Sequence, residues 1–384
     1  MPACAAPRRI PARLVLLACL AGWTASAAEH WAFIGTYTGG RSKGIHVSRH
    51  HDVAGTLTEP RLVAEARNPS FLAARADGRA LYAVNETGDF EGRPAGSVSA
   101  FRLDPATGEL TLLNQASTGG GGPCHLTLDR AGRHLFVANY GGGSVAVNAL
   151  EPGGQIGRQT AFVQHTGSSV NAARQQAPHA HGIYLDDAER HVLVPDLGLD
   201  QVVIYRFDAA TGGLSPSPAG NAKLAPGAGP RHLAFSADGR HFFVLNELLS
   251  TVTVFSWDAA AGQAGEGVTV STLPAGFTGG NSTAEIEAHP DGRSVYASNR
   301  GHDSLVVFRW AEARLAPVQH HRLGVKTPRH FALSPSGRWL LVSGQNSDRI
   351  EIHAVNTATG TLAETGRSVE VGAPVCVVFV PVAP

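Results

Sequence analysis

The residues best suited to chemistry fall in short, scattered stretches. GPRHLAFSADGRHFFVLNE, residues 229–247, carries Arg231 and His232 near one end and Glu247 at the other, with apolar runs and a Gly-Arg turn between them. APHAHG brings His179 and His181, and SNRGHDS brings Arg300. His125, Glu86, Glu285, Arg329 and His330 occupy comparable places elsewhere in the chain. A guanidinium stays charged and offers a planar fork of donors, suited to a carboxylate, a phosphate or an oxyanion. An imidazole titrates near neutral pH and can carry a proton. A carboxylate flanked by arginines is held ionised, which makes it a weak base and a good orienter.

Whether these groups act together depends on the elements that carry them, and those elements repeat. A strand running into a turn recurs as FLAARADGR, HLTLDRAGR, GIYLDDAER, HLAFSADGR, EIEAHPDGR and FALSPSGR. A second strand follows at once: ALYAVNE, HLFVANY, HVLVPDL, HFFVLNE, SVYASNR and WLLVSGQ. A third alternates apolar and polar residues up to a turn, as in GSVSAFRLDPATGEL and DQVVIYRFDAATGGL. That period of two belongs to strands, not helices. The chain ends supply a seventh copy, AFIGTYT and KGIHVSRHHDVAGTL at the start and APVCVVFVP at the finish. A period of about 50 residues with four short strands per copy predicts an all-β, seven-bladed β-propeller. Its closing blade is shared by the N- and C-terminal strands, which ties the ring shut and protects strand edges.

The repeats also separate scaffold from candidates. Arg79, Arg133, Arg190, Arg240, Arg293 and Arg338 follow the hairpin turn in the six uninterrupted copies and read as structural, at the opposite mouth. Asn85, Asn139, Asp196, Asn246 and Asn299 share a strand-end slot where such side chains bond nearby backbone. The slot after it varies: Tyr37, Glu86, Tyr140, Leu197, Glu247, Arg300, Gln345. So do the first two positions of the inner strand, which hold His181, Arg231 and Arg329, then His125, His232, Glu285 and His330. A hairpin brings its two ends together, so Arg231 and Glu247 are expected side by side at one mouth of the channel. His179, His181, Glu285 and Arg300 belong to the same wall. An inter-blade ion-pair network is the structural alternative, although a network needed only for stability has no reason to gather at a cleft.

Bulk composition narrows the function further. Lys and Arg number 31, as do Asp and Glu, so no basic excess points to nucleic acid. At the N-terminus, Arg8, Arg9 and Arg13 precede an apolar run from Leu14 to Trp23 and then Ala25-Ser26-Ala27. This is the order of a secretory signal peptide, and the run falls short of the roughly 20 apolar residues of a membrane span. Residues 1–27 are therefore expected to be removed, leaving 28–384 as one propeller domain, periplasmic or secreted, monomeric and without stable membrane insertion. A twin-arginine signal at Arg8-Arg9, which Pro11 disfavours, and lipid attachment at Cys19 are the variant readings. Cys124 and Cys376 remain, in one slot of two non-adjacent blades, and read as buried thiols in place of a disulfide.

With APHAHG, GPRHLAFSADGRHFFVLNE, SNRGHDS, GGPCHL and the opening FIGTYT in view, the chain resembles the lactonase family of seven-bladed propellers. That family includes the propeller-type 6-phosphogluconolactonases and the 3-carboxy-cis,cis-muconate lactonizing enzymes. The resemblance spans essentially the whole mature chain. It implies a site of one histidine, two arginines and a glutamate, which fall on His179 or His181, Arg231, Arg300 and Glu247. His181 shares its hairpin slot with Arg231 and is the preferred base. His179, His125, His232, Glu86, Glu285, Arg329 and His330 are then expected to bind substrate. The implied reaction is hydrolysis of a sugar lactone, with one arginine on the oxyanion and the other on an acidic group. A lactone-forming cycloisomerase and a non-catalytic ligand- or protein-binding propeller are the rivals, since fold alone does not decide function. Neither cofactor nor metal is expected. His179-Ala-His181, or Glu86 with Asn139 and Asp196, would be the alternative ligands, but no compact set such as HExxH is present.

Overall fold

The computed structural model describes residues 29–383 together with Met1. The expected signal peptide lies outside the described residues apart from Met1. The described residues form seven antiparallel sheets, each a blade of four or five strands. The inner strands of blades 1 to 6 begin the hairpins at Leu72–Ala74, Pro123–Leu128, Tyr184–Leu185, Pro230–Phe235, Ser282–Ala288 and Pro328–Leu333.

Strand alternation explains why blades stack into a ring. In the second strand of blade 4, His241–Asn246, Phe242 and Val244 pack toward blade 3 with Leu193 and Ile204. Phe243 and Leu245 point the other way and pack against Ile286 and Ala297 of blade 5. Every blade is thus buried on both faces, and each such side chain contributes roughly 1.5–3 kcal/mol by leaving water.

Blade 7 closes the circle. Its inner strand is Pro374–Pro381, paired with Glu29–Thr36, and the next strand outward is Gly44–His51. Trp31 and Phe33 then face Leu72 and Leu81 of blade 1, while Ala32 and Ile34 face Leu341 of blade 6. Deleting residues 374–384 should expose Glu29–Thr36 as a bare edge and uncover both of those cores. Because total stability is about 5–15 kcal/mol, the truncated chain is expected to lose its cooperative thermal transition and to partition into aggregate. Soluble yield and far-UV melting check this.

The inner strands share one irregularity that matters for the site. In blade 4 the register passes from Pro230 opposite Asn246 to His232 opposite Leu245, so Arg231 is an extra residue. Arg329 is extra in blade 6 and Cys124 in blade 2 in the same way. A β-bulge of this kind turns one side chain out of the sheet's alternation. It is the physical basis of the variable slot seen in the repeats. The six turn arginines, by contrast, are all exposed at the other end of the blades, as the repeat pattern predicts for scaffold. Cys124 and Cys376 are free and buried.

Candidate active site

The bulge in blade 4 delivers Arg231 to the residue that ends its hairpin partner. Arg231 Nε lies 3.2 Å from Glu247 Oε2, and Arg300 Nη2 of blade 5 lies 3.0 Å from the same oxygen. The Arg231 Nε contact is an ion pair whose N–H is misdirected for a hydrogen bond. His181 Nε2 stands 3.9 Å from Glu247 Oε2. The four residues expected to carry catalysis therefore meet around one carboxylate. Glu247 is 4 % exposed and Arg231 2 %.

A fifth side chain reaches the same carboxylate from outside the repeats. Arg174 Nη2 donates to Glu247 Oε1 at 2.8 Å and to the Tyr140 hydroxyl at 3.0 Å. It sits on the segment that links blade 2 to blade 3, which belongs to no repeat. That segment is nonetheless pinned. Gln175 is fully buried, its Nε2 donating to Leu197 O at 2.8 Å and to Asp200 Oδ1 at 2.7 Å. Asp200 also accepts from Ser169 Oγ, Gly227 N and Gly229 N. Asp196 holds the far end, accepting from His179 N at 2.7 Å and lying 2.6 Å from His165 Nδ1.

Electrostatics follow from this crowding of charge. Burial pushes the Glu247 carboxyl up, but Arg300, Arg231 and Arg174 outweigh burial and hold it at about 2. Burial, with Arg231, His232 and Arg329 nearby, holds the His181 imidazole well below its ordinary value, so it is neutral at pH 7. Burial lowers Arg300 to about 10 against the pull of Glu247, which still leaves it charged.

The other expected site residues fall into three places. His179 lies at the lip, its ring stacked on Tyr140 at 4.5 Å and its Nδ1 2.9 Å from Tyr140 O. A carbonyl can only accept, so Nδ1 is the donor. Glu86 and Arg329 stand on the opposite wall. Tyr37 donates its hydroxyl to Glu86 Oε2 at 2.8 Å, Ser70 Oγ donates to the same oxygen at 2.5 Å, and Arg329 caps the Tyr37 ring at 5.3 Å. His125, His232 and His330 lie deeper and meet around Phe71, with ring centroids 4.2, 6.0 and 5.7 Å from it. They close the channel as a floor, and Glu285 is bonded to His232 within it. Beneath lies a cavity of about 360 Å³ lined by His125, Tyr184, Phe235, Glu287 and His330, toward the turn end of the inner strands.

Asp196 holds the linking segment as described, and Asn139 Nδ2 donates to Thr118 O and Ser144 Oγ. Among the described residues no group of three His, Cys, Asp or Glu side chains is arranged to hold a metal ion, and no helix is long and apolar enough to cross a membrane.

The closed ring thus gathers an ionised carboxylate, three guanidiniums and a neutral imidazole at one mouth of its channel. The chain belongs to the lactonase family of seven-bladed β-propellers, whose profile matches residues 31–379. It is 33 % identical over 353 residues to the 6-phosphogluconolactonase of Bacillus subtilis, covering 91 % of this chain and 98 % of the relative. The 6-phosphogluconolactonase of Formosa agariphila is 31 % identical over 340 residues, covering 86 % and 94 % respectively. The solved periplasmic gluconolactonase of Pseudomonas aeruginosa is 36 % identical with a TM-score of 0.87, covering 93 % of this chain and all of that one.

Proposed function

We propose that the protein hydrolyses a sugar lactone at the Glu247 mouth, outside the inner membrane. The observation that carries this reading is the ionised Glu247 clamped by Arg174, Arg231 and Arg300 with neutral His181 beside it. Ester hydrolysis needs a water to lose a proton and a carbonyl oxygen to gain negative charge. A water hydrogen-bonded to both His181 Nε2 and Glu247 Oε2 spans their 3.9 Å gap as the apex of a triangle. His181 accepts its proton, and the imidazolium that forms is stabilised by the neighbouring carboxylate. As the oxyanion re-forms the carbonyl the ring C–O bond breaks, and the imidazolium returns the proton to the leaving ring oxygen. Glu247 stays charged throughout and orients the water.

The oxyanion falls to Arg300. Its side chain is 13 % exposed while that of Arg231 is 3 %, so Arg300 is the more accessible of the two. Arg300 is also anchored by donation to Thr283 O at 2.7 Å. Arg174 at the lip, with His179 Nε2 and the Arg329–Glu86 wall, receives the polyol and any acidic group it carries. A cycloisomerase could draw on the same groups, but it would need an unsaturated acid as substrate.

Export, read from the N-terminal sequence, and similarity to a periplasmic gluconolactonase favour an unphosphorylated lactone over a cytosolic phosphate ester. The test is acid release in a pH-stat from glucono-δ-lactone, from its 6-phosphate and from a muconolactone, each with spontaneous hydrolysis subtracted. Enzyme-dependent release from at least one sugar lactone is expected. No release above background from any of them would remove the hydrolase reading.

A further inference from the structure

Below the carboxylate, a line of contacts crosses from blade 4 into blade 5. Arg231 Nη1 lies 2.8 Å from His232 Nε2, and His232 Nδ1 lies 2.9 Å from Glu285 Oε1. A guanidinium has donors only, so His232 Nε2 must be the acceptor. In a neutral imidazole the one ring proton then sits on Nδ1 and is donated to Glu285. The carboxylate is itself fixed, since Glu285 Oε1 accepts from Ile286 N at 3.0 Å and Glu285 N donates to Ser298 Oγ at 3.0 Å. Arg231 Nη1 also donates to Ala284 O at 2.5 Å, which locks the guanidinium from a second side.

We infer that Glu285 is a positioning residue: through the Nδ1–H tautomer of His232 it fixes the Arg231 guanidinium, which in turn holds Glu247. This rests on Glu247 and Arg231 being the reaction centre. Two features argue that the line does more than fill the channel. Glu285 Oε2 is buried and makes no hydrogen bond, with His330 Nε2 3.6 Å away, so the hydrogen bonds of this carboxylate run through Oε1. Protonating His232 would set an N–H against the Arg231 N–H and break the line, and burial beside Arg231 holds that imidazole neutral. Outer partners that orient a working group by fixing a histidine tautomer are familiar from metal sites, where their loss costs about 10–100-fold.

The test combines a spectroscopic and a kinetic readout on the full mature chain. Long-range ¹H–¹⁵N correlation of ¹⁵N-histidine-labelled protein, without substrate, should show His232 protonated on Nδ1 and bare on Nε2. Glu285→Gln keeps an acceptor without the charge, and Glu285→Leu removes both. If outer-partner losses at metal sites are a guide, kcat should fall about 10-fold in the first and about 100-fold in the second, with KM within about threefold of wild type. A His232 proton on Nε2 would overturn the inference. So would folded Glu285→Leu protein with wild-type kcat, or a KM rise at constant kcat, which would place Glu285 on the substrate. Should Glu285→Leu fail to fold, the tautomer and the glutamine variant still decide. Wild-type protein inactive on every lactone would sink the proposed function while leaving the tautomer result to stand or fall alone.

Discussion

Glu247→Gln should lower kcat/KM for the lactone by about a thousandfold, the upper range for losing one preorganised electrostatic group, and should destabilise the fold by about 3–5 kcal/mol because its arginines lose their counter-charge. Arg231 is all but inaccessible and Arg300 largely buried, and both pair with Glu247 Oε2. A neutral amide keeps the shape and removes the charge that reconciles them. It also removes the stabiliser of the His181 imidazolium. The two effects separate by measurement: steady-state kinetics below the melting temperature report the first, and urea unfolding reports the second. pH gives a further check. The folded carboxyl sits at about 2 against an ordinary 4.5, so its stabilisation is complete above pH 4.5 and is lost as pH falls from there toward 2. The variant should lack that acid limb. A Glu247→Gln enzyme with wild-type turnover would leave the mouth as an ion-pair network and nothing more.

The pairing on which that prediction depends was legible because a hairpin returns its chain. Arg231 and Glu247 are separated by a strand, a turn and a strand, and the repeats fixed where the turn lies, so their meeting needed no tertiary information. Ring closure was legible for the same reason, since the copy missing at one end was present at the other. Depth was harder to read. His232 and Arg231 are adjacent in sequence, and the pattern assigned both to the mouth. The bulge at Arg231 turns one toward Glu247 and leaves the other in the floor against His125, with rings 5.2 Å apart. A bulge is a one-residue change of register, invisible to a period of two. Arg174 was beyond reach altogether. Its place depends on Gln175 and Asp200, a polar contact between a linking segment and the turn before the third strand of blade 3, and no periodicity encodes it. The available hint was length, because that link is longer than a blade-to-blade connection requires.

Arg174→Gln should leave its signature in KM. Both hydrogen bonds of the Arg174 guanidinium use Nη2. Its side chain is 40 % exposed, which leaves the Nη1 and Nε donors for a ligand at the lip. A hydrogen bond from a charged donor is worth about 1.5–3 kcal/mol, which corresponds to about 10–100-fold in affinity. KM should therefore rise by that factor for a lactone bearing a phosphate or carboxylate, less for glucono-δ-lactone, whose hydroxyls are neutral acceptors. Turnover should change little, since Arg231 and Arg300 still hold Glu247 ionised and Gln175 still anchors the segment to Asp200. The comparison of substrates is the decisive part. If kcat falls with KM unchanged, Arg174 serves Glu247 alone. If KM rises equally for charged and uncharged lactones, it shapes the lip without reading charge. A rise confined to the anionic substrate would assign the acid-recognising role to a residue outside the repeating scaffold, where a blade-to-blade link can vary without disturbing the ring.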